Sequence, residues 1–210
     1  MNEPERLLTR RRLLQLGVAL PLPLLVACSS GGDDRRAPAA ASSGPLPTTP
    51  ACDDGDDPTP PTTEGPFFTP DSPETTNLRT AGMAGTALSL TGVVVDQRCR
   101  PIARALLDFW QADDAGEYDN DGYRLRGHQF TGTDGRYRLE TVVPGLYTGR
   151  TRHIHLKAQA PSGPVLTSQL FFPGEAANRG DSIFDEDLVV QVRENGGRRQ
   201  AQFVFVLATG

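Results

Sequence analysis

Two histidines and a tyrosine fall within nine positions of one another in "PGLYTGRTRHIH", residues 144–155. The chain has only three histidines and four tyrosines, so His153, His155 and Tyr147 form a concentration rather than a background. Imidazole and phenol each combine a titratable proton with a lone pair that a metal ion can use. His153 and His155 are two apart in "HIHLKAQA", a stretch that reads as a strand, so both point to one face. Their backbones would be roughly 6.6 Å apart, from which two imidazoles can lean onto one ion. Ile154 and Leu156 would then face the core. Tyr147 follows a Pro-Gly turn, on a loop that can fold back over the strand. Two histidines alone are weak evidence, and more often form a solvated or core-satisfied pair than a metal site.

The segments around this stretch are short and β-rich. "ALSLTGVVVD" is a β-branched run. "ALLDFWQAD" alternates, with Ala105, Leu107 and Phe109 on one face and Leu106, Asp108 and Trp110 on the other. "RYRLETVV" alternates again, directly after Thr133-Asp134-Gly135, a hairpin signal. "LTSQLFF", "DLVVQV" and "QFVFVLA" complete the set, with Gly, Pro and Asp turns between them. No stretch after the N-terminal region has a helical period. The pattern predicts an all-β fold, one antiparallel β-sandwich over residues 61–210.

The N-terminal third has a different texture. Arg10, Arg11 and Arg12 precede an apolar run from Leu13 to Ala27, interrupted by Pro21 and Pro23 and too short to span a membrane. This is a signal-peptide pattern over residues 1–28, and its Arg-Arg run resembles a twin-arginine export signal. The run ends in Leu-Val-Ala-Cys, which resembles the lipidation box of bacterial lipoproteins and predicts lipid on Cys28. Residues 29–60 are rich in Pro, Ser, Gly and Asp and read as a disordered tether. With Cys28 lipidated, Cys52 and Cys99 are left as an even pair, which outside the cytoplasm predicts a disulfide. The expected location is the bacterial cell envelope, through an N-terminal lipid anchor in the membrane. The net charge of -5, without a basic stripe, argues against nucleic acid as a partner.

Over the β-rich region the chain resembles the intradiol ring-cleavage dioxygenases, which open catechols between their two hydroxyls. The resemblance rests on the long stretch from "DFWQADDAGEYDNDGYRLRGHQF" through "HIHLKA", on "TEGPFF" before it and on "LTSQLFFPG" after it. It is closest to the exported, single-domain branch; the N-terminal helical segment of the cytoplasmic catechol enzymes has no counterpart here. The resemblance implies a β-sandwich, Fe(III) as cofactor, and catechol-type substrates opened with O2 to muconate-type diacids. Its iron ligands fall on Tyr118 in "AGEY", Tyr147 in "PGLY", and His153 and His155 in "HIH". Phenolate and imidazole donors suit ferric iron better than they suit a soft metal, and a trivalent ion can hold a tyrosine ionised at neutral pH. Tyr147 and His153 would be axial, Tyr118 and His155 equatorial, and Tyr147 the ligand released when substrate chelates. Arg150 matches an arginine that stabilises charge developing on the ring, with Arg152 as a competing choice. Gln169 matches a pocket glutamine. Phe171 stands where the family often has tyrosine, one hydroxyl fewer near the pocket.

Other polar residues read as structural. His128 is expected to be hydrogen-bonded, Tyr137 to lie in the core or on a sheet face, and Trp110 to be core rather than pocket. The Asp run at 53–57 lacks calcium-loop spacing and fits the tether. Two rival functions remain at this stage. One is an iron-free β-sandwich binding lipoprotein; the other is a zinc or copper site.

Overall fold

The structure, a computed structural model, describes residues 57–209. The expected signal segment and the tether through residue 56, with Cys28 and Cys52, lie outside the described residues. The last tether positions are ordered rather than loose, a correction to its boundary: Thr59 N donates to Val206 O, and Pro60 O accepts from the Ser168 hydroxyl. Cys99 is disulfide-bonded. Among the described residues no helix is long and apolar enough to cross a membrane.

Among the described residues, eight strands and two short 3-10 helices follow one another. The strands are β1 (Ala87–Asp96), β2 (Leu106–Trp110), β3 (Arg126–Phe130), β4 (Arg136–Val142), β5 (His153–Gln159), β6 (Val165–Phe171), β7 (Gln191–Asn195) and β8 (Arg198–Leu207). They form two four-stranded sheets, ordered β4-β1-β8-β7 and β3-β2-β5-β6. The expected all-β sandwich is present. One ladder is parallel, between β1 and β8, the first and last strands among the described residues. The other ladders are antiparallel.

Period-2 alternation decides which residues meet between the sheets. Leu107 and Phe109 of β2, Ile154 and Leu156 of β5, and Leu170 of β6 face Leu90 and Val94 of β1, Leu139 of β4 and Phe205 of β8 in one core. Each such side chain taken from water contributes about 1.5–3 kcal/mol. Tyr137 belongs to this core and donates its hydroxyl to Phe203 O at 3.0 Å.

Two readings of the sequence need correction. Thr133-Asp134-Gly135 does form a turn, closed by Gly135 N donating to Gly132 O. It joins strands of opposite sheets, however, because β3 pairs with β2 and β4 with β1. "DLVVQV" is only partly a strand: its start lies in the 3-10 turn Glu186–Leu188, and the ladder begins at Gln191.

The outer face of the β3-β2-β5-β6 sheet carries rows of polar side chains in register. Trp110 stands beside His155, and His155 beside Gln169. Asp108 lies opposite His128 and Lys157. A strap over residues 59–78 covers this face. It is stitched to β8 by Thr59 N to Val206 O, to β6 by Thr62 N to Thr167 O, to β3 by Thr75 N to His128 O and to β4 by Leu78 N to Glu140 O. Ser72 on the strap donates to Asp108 at 2.8 Å and lies 3.2 Å from His128 Nδ1, the hydrogen-bonded role expected of that histidine.

Candidate metal centre

Strand β5 turns His153 and His155 to the outer face, as their spacing predicts, and both are buried beneath the strap. Their Nε2 atoms are 3.1 Å apart. The Tyr118 hydroxyl lies 3.1 Å from His153 Nε2, so two imidazole nitrogens and a phenol oxygen converge. Two donors each about 2.1 Å from one ion, at nearly a right angle, lie about 3 Å apart. The observed separations are therefore those of adjacent corners of one coordination shell.

The two histidines are oriented by different forces. His153 Nδ1 donates to Thr151 O at 2.6 Å, which leaves the Nε2 lone pair pointing into the cluster. Thr151 is itself fixed, its N–H donating to Asp181 at 2.8 Å and its hydroxyl to Asn178 at 2.5 Å. His155 is held by packing. Trp110 stacks on it at 4.9 Å with planes 8° apart, and a Cβ on Gly65 would lie 3.2 Å from its Cε1. Its Nδ1 is buried, and among the described residues none hydrogen-bonds it. Trp110 is thus buried on the site face rather than in the sandwich core, a correction to its sequence reading. The reason is the strap, whose Phe68 packs edge-on against its indole at 4.9 Å.

Tyr118 arrives on the loop between β2 and β3. Asp113 and Asp119 brace that loop, each carboxylate accepting backbone N–H bonds from residues just downstream. Phe67 of the strap stacks on the Tyr118 ring at 4.5 Å. Tyr147 arrives on the turn after β4. Its ring lies edge-on to Tyr118 at 5.9 Å and to Phe67 at 5.4 Å. The two tyrosine loops cross where glycines allow it. A Cβ on Gly116, whose φ is +88°, would sit 2.1 Å from Leu146 O, and one on Gly145 would sit 2.3 Å from Gly116 N. The glycines of "AGEY" and "PGLY" are therefore demanded by the crossing.

Arg150 and Gln169 are also brought together. Arg150 donates to Gln169 Oε1 at 2.7 Å and to Asp181 at 2.9 Å, and Gln169 donates to Thr63 O at 2.8 Å. Arg152, the competing arginine, is occupied elsewhere, by Glu175 at 2.9 Å and by Pro144 O. One carboxylate, Asp181, thus orients Arg150 directly and His153 through Thr151. Sequence reasoning missed Asp181, Arg126 and the roof residue Phe67. Nothing local marks the first two, because their partners are far away in the chain.

Electrostatics fit neutral imidazoles beside a cation. Burial, despite the bond to Thr151, pulls His153 down to about 4. Burial, then the neighbouring His153, lowers His155 well below its ordinary value. Burial raises the Tyr118 phenol, and Arg150 and Arg126 oppose that rise. Among the described residues no cluster of three or more His, Cys, Asp or Glu is placed to hold a metal. The donor set here instead mixes imidazole with phenol, the pairing suited to a hard, high-valent ion.

Fold and site together define a β-sandwich protein with an imidazole–phenol donor cluster roofed by its own N-terminal strap. Residues 63–207 match the family described as "Dioxygenase". The chain is 31% identical over 144 residues to a hydroxyquinol 1,2-dioxygenase of Nocardioides simplex, covering 57% of this chain and 49% of that one. It is 30% identical over 183 residues to a 6-chlorohydroxyquinol 1,2-dioxygenase of Cupriavidus pinatubonensis, covering 71% and 64%. Among solved structures it resembles the dioxygenase domain of a dioxygenase–carbohydrate-binding protein fusion from Streptomyces sp. SirexAA-E. That likeness has 55% identity and a TM-score of 0.72, and covers 73% of this chain and all of that one. The chain spans about half the length of the hydroxyquinol dioxygenases it matches. It belongs to the intradiol ring-cleavage dioxygenase family.

Proposed function

We propose that this protein is a non-haem ferric dioxygenase that cleaves catechol-type rings between their two hydroxyls, using O2 and giving muconate-type diacids. The observation that carries the reading is the convergence of Tyr118 Oη, His153 Nε2 and His155 Nε2 at 3.1 Å spacings, with Tyr147 beside them. Tyr118, Tyr147, His153 and His155 would hold the iron. A ferric ion held there would supply the Lewis acidity that activates a catechol ring toward dioxygen.

The chain's own residues do the rest. The imidazoles stay neutral and donate lone pairs, because burial and nearby arginines disfavour their protonation. Tyr147, on its turn, is the donor free to leave and to accept a substrate proton at its phenol oxygen. Arg150, pinned by Asp181 and Gln169, lies within electrostatic reach of Tyr118, His153 and His155. It is placed to stabilise negative charge on a ring bound there. Trp110, Phe67 and Phe68 keep water from that face.

The test is purified protein loaded with ferric iron. A red tyrosinate-to-iron absorption band and oxygen uptake with a panel of catechol, hydroxyquinol and protocatechuate are expected. Colourless protein that takes up no oxygen with any of them would leave the iron-free binding lipoprotein as the better reading. Export and anchoring at Cys28 are part of the same proposal, motivated by the "LVAC" pattern. Mass spectrometry of membrane-extracted protein should find an acylated N-terminal cysteine, and a soluble mature chain beginning elsewhere would refute the anchor.

A further inference from the structure

We infer that Arg126 is a positioning residue for Tyr118, a clamp that ties the roof of the site to the loop carrying that tyrosine. Arg126 is only 2% exposed. A cation that deep ordinarily has a carboxylate in contact. Among the described residues none forms a salt bridge with it. Its fork donates instead to main-chain carbonyls, with Nη1 to Phe67 O at 2.5 Å and Nε and Nη2 to Asp119 O at 3.0 and 2.6 Å.

Those two carbonyls belong to the two supports of Tyr118. Asp119 follows it directly in the chain. Phe67 is the ring stacked on it at 4.5 Å. One planar side chain therefore fixes the backbone beside Tyr118 and, through the strap, the aromatic plate against it. A lysine cannot do the same, because a single ammonium on a flexible stem lacks the rigid fork that spans two fixed acceptors. The carboxylate of Asp119 is not available to replace the clamp. It is committed to the N–H groups of Asp121, Gly122 and Arg124, which hold it below the usual carboxylate range. Tyr147 has no equivalent. Its turn is closed by Arg150 N donating to Tyr147 O at 2.9 Å, and among the described residues no side chain hydrogen-bonds Tyr147 to the strap backbone.

The inference rests on the proposed donor set, and the experiment separates the two. Arg126→Met and Arg126→Lys would be compared with the full chain by competition for ferric iron against a chelator. Hydrogen exchange of the amides at 65–68 and 118–124 would be followed in metal-free protein. Arg126→Met should weaken ferric binding about 10- to 100-fold, the range for groups that orient metal ligands, with Arg126→Lys intermediate. Exchange in both segments should quicken by about tenfold or more, as local opening becomes easier. Combined with Tyr118→Phe, Arg126→Met should cost little further affinity; combined with Tyr147→Phe, it should cost its full factor. A full factor in both backgrounds, or unchanged affinity, would overturn the clamp. Wild-type protein that binds no ferric iron would overturn the functional reading instead, and unchanged exchange would then still overturn the clamp. If Arg126→Met fails to fold, Arg126→Lys carries the same comparisons.

Discussion

Tyr118 and Tyr147 sit with their rings 5.9 Å apart, yet they are held by opposite means. Tyr118 is gripped on three sides. The Asp113 and Asp119 carboxylates brace its loop, Phe67 lies against its ring, and its hydroxyl meets His153 at 3.1 Å. Tyr147 hangs from a turn between an exposed Leu146 and Gly149, a glycine at φ +77° with nothing within 4 Å of where its Cβ would be. Among the described residues none hydrogen-bonds its hydroxyl. A centre that must hold a metal and also admit a bidentate substrate needs one donor that stays and one that can go. Under the proposed function, that difference in support would give Tyr118 the first part and Tyr147 the second.

The largest effect should come from the histidine that the Tyr118 hydroxyl meets. His153→Ala is expected to weaken ferric binding on the order of 100-fold or more, at or beyond the top of the range for groups that only orient a ligand. Iron per chain and the visible band measure it, and unchanged values would discard the four-donor set. Next come the tyrosines themselves. Tyr118→Phe should cost about 10- to 100-fold in iron affinity, whereas Tyr147→Phe should stay within about tenfold of wild type. Tyr147→Phe should instead slow oxygen uptake with catechol by roughly 10²- to 10⁴-fold, through loss of a proton acceptor. Equal iron losses in the two variants would erase the contrast.

The crossing of the two loops gives a smaller effect. Gly116→Ala places a methyl against Leu146 O and strains a positive φ, so a loss of about 1–3 kcal/mol is expected by thermal or urea unfolding. Gly149→Ala meets only the φ penalty, and should cost about 1 kcal/mol or less. If the two variants melted alike, the loops would not depend on each other. The smallest effect is acid-dependent. The N–H groups of Ile183 and Thr151, with Arg150, outweigh the effect of burial and hold Asp181 below its ordinary 3.8. A carboxylate depressed in the folded state adds stability that is complete above the unfolded pKa and is lost as pH falls through the folded one. Wild-type stability should therefore drop more steeply than that of Asp181→Asn between about pH 5 and pH 3. Parallel acid limbs would show that Asp181 does not tighten the Arg150 side of the site.

Much of the site was legible because strands obey a period of two. That rule alone put His153 and His155 outward with Ile154 and Leu156 inward, and set Trp110 on the face opposite Phe109. The motif resemblance supplied Tyr118, Arg150 and Gln169, which no periodicity marks. Where the reading failed, the cause was long-range. The Thr-Asp-Gly turn has ordinary hairpin chemistry, and only the pairing of β3 and β4 in different sheets shows that it bridges the sandwich. Trp110 reads as core because large aromatics are usually buried there. It is buried here too, but by a strap some forty residues earlier in the chain. Arg126 and Asp181 are common residue types whose meaning lies wholly in their distant partners.

The indole of Trp110 has an optical consequence. It is the chain's single tryptophan, and it lies face to face with His155 at 4.9 Å. Its emission therefore comes from one place, within van der Waals contact of a proposed iron ligand. A ferric centre with a visible charge-transfer band would drain that excited state at such range, so iron-loaded protein should be dark at indole wavelengths and metal-free protein bright. Occupancy can then be followed in a cuvette, without a label and without turnover, as iron is added or stripped.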